Sequence, residues 1–237
     1  LSTTTTTTQV RGADGKGNHV PEQPDGALTL EPDPAALEPA TTARGRAKAE
    51  RRDALLAAAA RLFAHHGFDG VTIEDLGTSV GVSGPAVYRH FPSKQAVLVA
   101  LLVGVSERLL VGGRTVVASA DGDAAALASL VRFHAEFALA EPDVIRVQDR
   151  DLPALPAPDR EQVRHLQRRY VEVWVDVLTR LHPGVERADL RLRAQATFGL
   201  LNSTPHSARG LSTARTRALL EEMALAALGS PRDGTSR

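Results

Sequence analysis

Residues 83 to 94 read Ser-Gly-Pro-Ala-Val-Tyr-Arg-His-Phe-Pro-Ser-Lys, concentrating hydroxyls, two cations, an imidazole and two aromatic rings in one short segment. Hydroxyls, cations and the free N–H groups of helix N-termini are the groups that bind phosphate oxygens and fix a protein's register on a duplex. Ser83, Tyr88, Arg89, His90 and Lys94, with Thr72 just upstream, are therefore candidate nucleic-acid contacts. Gly84, Pro85 and Ala86 carry small side chains, which let the start of a helix approach base edges closely. Taken singly, His90 is as well read as a packing or capping residue and Tyr88 as a surface aromatic; their convergence with the others on one face favours the joint reading. Phe91, Val87 and Leu98 read as core.

Catalytic alternatives find less support. The chain has no cysteine, which excludes disulfides, thiolate metal sites and cysteine nucleophiles. His65 and His66 are adjacent and face different sides of a helix, His182 and His206 stand beside prolines, and no Glu-x-x-His repeat supplies a di-iron bundle. No enzymatic activity, cofactor or metal is expected.

The elements that must position these residues are helical throughout. "RAKAERRDALLAAAARLFAHHGF" carries apolar residues at helical spacing and stops at Gly67. Thr72 with Asp75 three residues on is an acidic capping box that opens a two-turn helix ending before Gly81. Ser83 is placed to cap a third helix over about 84 to 90, with Pro85 in its first turn; Pro92 ends it, and Ser93 caps a fourth, "KQAVLVALLVGVSERLLV", up to Gly112 and Gly113. Further helices are predicted over 123–140, 143–150, 158–181, 187–209 and 213–228, with Pro205 bending or interrupting the fourth of these five. The fold class is all-α. Ile73, Leu76, Val80, Val82 and Val87 are spaced to pack two short helices across the Gly81-Val82-Ser83 turn, as a helix-turn-helix requires.

Composition sets the frame. With 237 residues, 43% of them hydrophobic, the chain can bury a sizeable core. No apolar run is read as long enough to span a bilayer and no secretion signal is evident, so a cytoplasmic location is expected. Net charge is zero, yet residues 1–43 hold two basic against six acidic side chains, whereas residues 44–94 hold eight basic against five acidic. The expected organisation is an acidic Thr-rich tail over 1–43, read as disordered and inert, a DNA-binding domain over 44–92, a regulatory domain over 93–230 and a flexible tail over 231–237.

"GFDGVTIEDLGTSVGVSGPAVYRHFPSKQAVL" resembles the DNA-binding domain of the TetR family of bacterial regulators, over about residues 46 to 100. That resemblance implies a three-helix DNA-binding domain, a C-terminal helical domain for ligand binding and dimerisation, and a ligand-responsive regulator, most often a repressor. It places Thr72, Ser83, Tyr88, His90 and Lys94 at phosphates and Gly84, Pro85 and Ala86 at base edges, with Arg44, Arg46 and Lys48 in an arm or helix end near phosphates or the minor groove. Gly77 departs from the alanine usual in the family, at about 1 kcal/mol of helix stability unless close packing against the first helix offsets it.

The C-terminal part is less specific. Tyr170 and Trp174 lie on one helical stripe and, with Phe133, Phe137 and Phe198, are the pocket candidates, a plain core role being the alternative. Arg160, Arg164, Arg168, Glu172, Asp176 and Arg180 recur at four-residue spacing, as a solvated ion-paired face does. "RRYVEVWVDVL" and "FGLLNSTPHSARG" are also similar to regulatory domains that sense acyl-CoA thioesters, and on that resemblance Arg146, Arg164 and Arg168 meet phosphates. The last two long helices resemble the family's dimer-forming pair, which offers Leu190, Ala194, Leu201, Leu219, Leu220, Met223 and Ala227 to a partner. Double-stranded operator DNA, a small-molecule effector and a second copy of the chain are the expected partners, with no membrane. A DNA-binding dimer without an effector remains the alternative, and an apolar cavity would separate the two.

Overall fold

The computed structural model describes residues 43–207 and 210–229, with side chains from residue 45 onward. The acidic tail over 1–43 and the tail over 231–237 fall outside the described side chains. Ten α-helices follow in chain order: α1 (Ala43–His66), α2 (Ile73–Ser79), α3 (Gly84–Val87), α4 (Lys94–Ala118), α5 (Asp123–Ala140), α6 (Pro142–Asp151), α7 (Ala157–Leu181), α8 (Arg187–Leu201), α9 (Thr204–Ser207) and α10 (Thr213–Gly229). A 3₁₀ turn, Leu152–Ala154, joins α6 to α7, and no strand occurs among the described residues.

Helices as short as α2 and α3 do not persist alone in water. They are held by burial: Ile73, Leu76 and Val87 pack with Leu55, Phe63, Val71, Phe91 and Leu98 in one apolar cluster. Capping adds to this at the start of α2. The Thr72 hydroxyl accepts from the Asp75 N–H at 3.1 Å, and the Asp75 carboxylate accepts from the Thr72 N–H at 2.9 Å. These bonds hold the Asp75 carboxyl below its usual range, the backbone donor contributing most. Ser83 stands at the N-cap of α3 but makes no side-chain cap bond, contrary to expectation. Gly81 turns the chain at φ +71°, where an L side chain is strained.

Gly77 owes its place to a different neighbour from the one expected. A Cβ there would lie 2.7 Å from the Val82 carbonyl oxygen and 3.2 Å from the Ser83 carbonyl carbon. The close packing is against the turn, and it sets how tightly α2 and α3 fold back on one another.

The first cluster does not end with the helix-turn-helix. Val144 and Val147 of α6, Leu155 of the link between α6 and α7, and Val163 of α7 complete it, while α4 runs from this cluster into a second one formed by α5, α7, α8 and α10. The predicted end of α4 at Gly112-Gly113 is corrected, because the helix continues to Ala118. Those glycines instead admit neighbours: a Cβ on Gly112 would collide with the Phe133 ring and one on Gly113 with the Tyr170 ring. α4 is also long and apolar enough to suit a bilayer, which corrects the reading of no such run; half of that window is buried in the molecule, as in a core helix. Pro205 acts as expected, since α8 stops at Leu201 and α9 restarts with Pro205 in its first turn.

Candidate DNA-binding face and effector cavity

The α2–α3 corner and the first turns of α1 expose one basic, hydroxyl-bearing face. Arg46, Lys48, Thr72, Ser83, Pro85, Tyr88 and Arg89 are exposed, Tyr88 by 52%. Arg46, Lys48 and Arg89 form no ion pair among the described residues, so their charges are uncompensated. The Arg44 side chain lies outside the described residues. Arg51, which sequence reasoning passed over, donates to the Val80 carbonyl at 3.3 Å, and Arg52 lies 4.7 Å from the Phe91 ring centre. Both were legible as part of the "RAKAERR" run but not as anchors of the corner.

The field of this face is visible at His90. Burial lowers its proton affinity, and Lys48, Arg51 and Arg52 lower it further. His90 is half-buried with Nδ1 buried and unpartnered, and burial together with the neighbouring cations favours its neutral ring.

Two assignments need correction. Gly84 is buried, with the Glu74 side chain lying over it, so it packs α3 on α2 and does not open backbone to base edges. Lys94 turns inward: its ammonium donates to the Phe68 carbonyl at 2.8 Å and lies 4.5 Å from the Phe68 ring centre. It ties the start of α4 to the turn that follows α1 and is not a free phosphate ligand. Ala86 is half-buried.

A cavity of about 160 Å³ lies among α4, α5, α6, α7 and α8. Phe137, Tyr170 and Phe198 of the predicted aromatics line it, together with Ser106, His134, Gln148, Gln167 and Asn202, which sequence reasoning missed. His134 stood on the inward stripe of "LVRFHAEF" and was the one available signal. It is 3% exposed, 3.3 Å from the Tyr170 hydroxyl through Nδ1 and 3.0 Å from Asn202 Oδ1 through Nε2. Burial lowers its pKa to about 4 and raises that of the Tyr170 phenol, so both are uncharged at neutral pH. Because Asn202 Oδ1 only accepts, Nε2 carries the proton and Nδ1 accepts from Tyr170.

Other pocket candidates do not reach the cavity. Trp174 is fully buried behind its wall, edge-on to Tyr170 and Phe198. Its Nε1 lacks a partner in hydrogen-bonding geometry, although it stands near enough to the Tyr170 phenol to offset part of the effect of burial there. Phe133 packs on Gly112. Arg146 pairs with Asp143 at 2.8 Å and donates to the Pro205 carbonyl; Arg168 is exposed and pairs with Glu161; Arg164 is exposed. The charged row on α7 is an ion-paired surface: Glu172 meets Arg187 and Arg191, Asp176 meets Arg187 and Arg180 meets Asp123.

Comparison with known proteins decides the family. Residues 55–101 match the profile of the bacterial regulatory proteins of the tetR family, and residues 121–206 match that of a tetracyclin repressor-like C-terminal domain. Over 160 residues the chain is 30% identical to the HTH-type transcriptional repressor KstR2 of Rhodococcus jostii, covering 66% of this chain and 77% of that one. The chain belongs to the TetR family. It is a DNA-binding transcriptional regulator of a family that binds operator DNA as dimers. Among solved structures, a TetR-family regulator from Bordetella parapertussis matches with a TM-score of 0.66 and 25% identity over 78% of this chain and 98% of that one. FadR from Bacillus subtilis, in complex with stearoyl-CoA, shares the fold at a TM-score of 0.59 and 13% identity, over 73% of this chain and 97% of that one.

The helices of the expected dimer pair place several predicted contacts elsewhere. Leu190, Ala194, Leu201 and Leu220 are buried within the protomer, so they are core and not interface. Leu219 is half-buried, and Met223 and Ala227 are exposed. The outward face of α8 is instead Leu192, 66% exposed, followed by Ala196 and Gly199 at successive turns.

Proposed function

We propose that the protein is a homodimeric repressor released from a two-fold symmetric operator by a small molecule. The observation that carries the DNA-binding part is the uncompensated charge of Arg46, Lys48 and Arg89 beside exposed Thr72, Ser83 and Tyr88. These residues contact phosphates, which supplies affinity and salt dependence, while Pro85 and Ala86 face base edges. So few polar side chains at the tip leave much of the sequence preference to DNA shape. Selection of genomic fragments followed by footprinting tests this: two protected half-sites about 34–36 Å apart are expected, and one asymmetric half-site would contradict a dimer.

Leu192, Ala196 and Gly199 of α8 with Met223 and Ala227 of α10 form the dimer face, small residues allowing close helix packing between copies. Leu192→Glu is expected to give a folded monomer by light scattering, because it puts a charge into the new interface but disturbs no protomer core. A dimer that survives it would place the interface elsewhere.

The cavity supports a small-molecule effector, as does the complex of the B. subtilis FadR, which shares the fold, with stearoyl-CoA. Two helices connect it to the DNA-binding corner. α4 passes through both clusters, and α6 puts Ile145 and Gln148 on the cavity but Val144 and Val147 into the first cluster. At the end of α6 the Arg150 guanidinium donates to the Phe63 and Ala64 carbonyls of α1, held by its pair with Asp151 at 2.9 Å. Arg150→Gln is expected to cost about 1 kcal/mol, since the side chain is half exposed. Hydrogen exchange at the end of α1 is expected to speed up; unchanged exchange there would show that Arg150 is not a tether.

A further inference from the structure

The chemistry of the cavity narrows the effector, given the reading above that the cavity is where it binds. Its volume of about 160 Å³ is close to that of a cavity that takes up one benzene ring, and below the roughly 300–1,000 Å³ of sites for larger ligands. No Arg, Lys, Asp or Glu lines it. Burial keeps His134 unprotonated and the Tyr170 phenol protonated, so the wall holds no formal charge at neutral pH. Arg146 and Arg168 are engaged by Asp143 and Glu161 and do not line it. An anion entering this space would lose its hydration with no counter-charge to replace it.

Hydrogen-bonding capacity is nevertheless left over. Gln148 and Gln167 make no hydrogen bond within the protein among the described residues. His134 donates to Asn202 Oδ1, which fixes the amide so that its Nδ2 donor stays unspent. The Tyr170 oxygen, having given its proton to His134, keeps its acceptor lone pairs. The rings of Phe137 and Phe198 line the same cavity and supply apolar area beside these groups.

We propose that the effector is a compact, uncharged, single-ring molecule bearing a carbonyl or hydroxyl oxygen, stacked on Phe137 and Phe198 and hydrogen-bonded by Gln148, Gln167 and Asn202. His134 acts as a positioning residue by orienting the Asn202 amide. A long acyl thioester, with its phosphates, suits neither the volume nor the neutral wall.

The test uses the dimer of this chain bound to a fragment taken from the genomic selection, with acetophenone and benzyl alcohol as neutral rings, benzoate as the matching anion and stearoyl-CoA as the long thioester. Thermal shift reads binding and fluorescence anisotropy reads operator release. The neutral rings are expected to raise the melting temperature and release the operator, benzoate to bind at least tenfold more weakly, and Gln167→Leu to weaken the rings at least fivefold. Tighter binding of benzoate or stearoyl-CoA than of either ring overturns the proposal. If no probe acts, native mass spectrometry of the purified protein separates the failures. A charged or larger adduct removes this class and keeps the sensor, whereas no adduct removes both.

Discussion

Trp174→Ala is expected to lower stability by about 3–5 kcal/mol, the range for deleting a large buried aromatic. The indole is fully buried, sits edge-on to His134, Tyr170 and Phe198, and belongs to the cluster that joins α5, α7, α8 and α10. Removing it takes away that burial and leaves a void that tight packing on four helices cannot fully close. Domains are stable by only about 5–15 kcal/mol, so the loss is a large fraction of the total. A melting temperature lower by roughly 6–20 °C follows for a unit of this size. Trp174→Phe, which keeps most of the edge contacts, is expected to recover more than half of it. A full-stability alanine variant that no longer responds to effector would return Trp174 to the cavity wall.

Acid is expected to weaken the fold through His134. Its folded-state pKa of about 4 lies below the ordinary 6.5 because burial penalises the charged ring. Above about pH 6.5 neither the folded nor the unfolded chain protonates it, and its contribution is fully present. As pH falls below that value the unfolded chain takes up a proton that the native cavity refuses, so stability declines until about pH 4, where the folded state protonates too. Between about pH 7 and about pH 4.5 this amounts to about 2–3 kcal/mol. Chemical denaturation across that range, compared with His134→Gln, isolates the effect: the wild type is expected to lose more by that amount. Parallel curves would show that the ring is already charged, or solvated, in the folded protein.

The legibility of the sequence followed the range of the interactions. The capping box of Thr72 and Asp75, the turn at Gly81 and the interruption by Pro205 rest on neighbours within a few residues, and local chemistry was enough to place them. Gly112-Gly113 misled, because the same pair that breaks an exposed helix is what lets the Phe133 and Tyr170 rings approach a buried one. Leu190, Ala194, Leu201 and Leu220 formed an apolar stripe, but a stripe does not say whether it meets its own chain or another. Only the surroundings reveal that Leu192, outside it, is the exposed one. Lys94 matches a phosphate position by type and motif, while its ammonium is taken by a carbonyl and a ring contributed from the turn after α1. His134 was overlooked for a related reason: its partners Tyr170 and Asn202 come from α7 and the end of α8, far along the chain.

The exposed cations of the α1–α3 face are expected to meet phosphates. Anisotropy titrations of an operator fragment over a range of salt concentrations, with wild type and with Lys48→Ala/Arg89→Ala, test this most directly. Each phosphate contact contributes about 0.9 to the slope of log affinity against log salt, so the double variant is expected to bind more weakly with a slope shallower by about two. Equal affinity and equal slope for the two proteins would mean that DNA is held by some other surface.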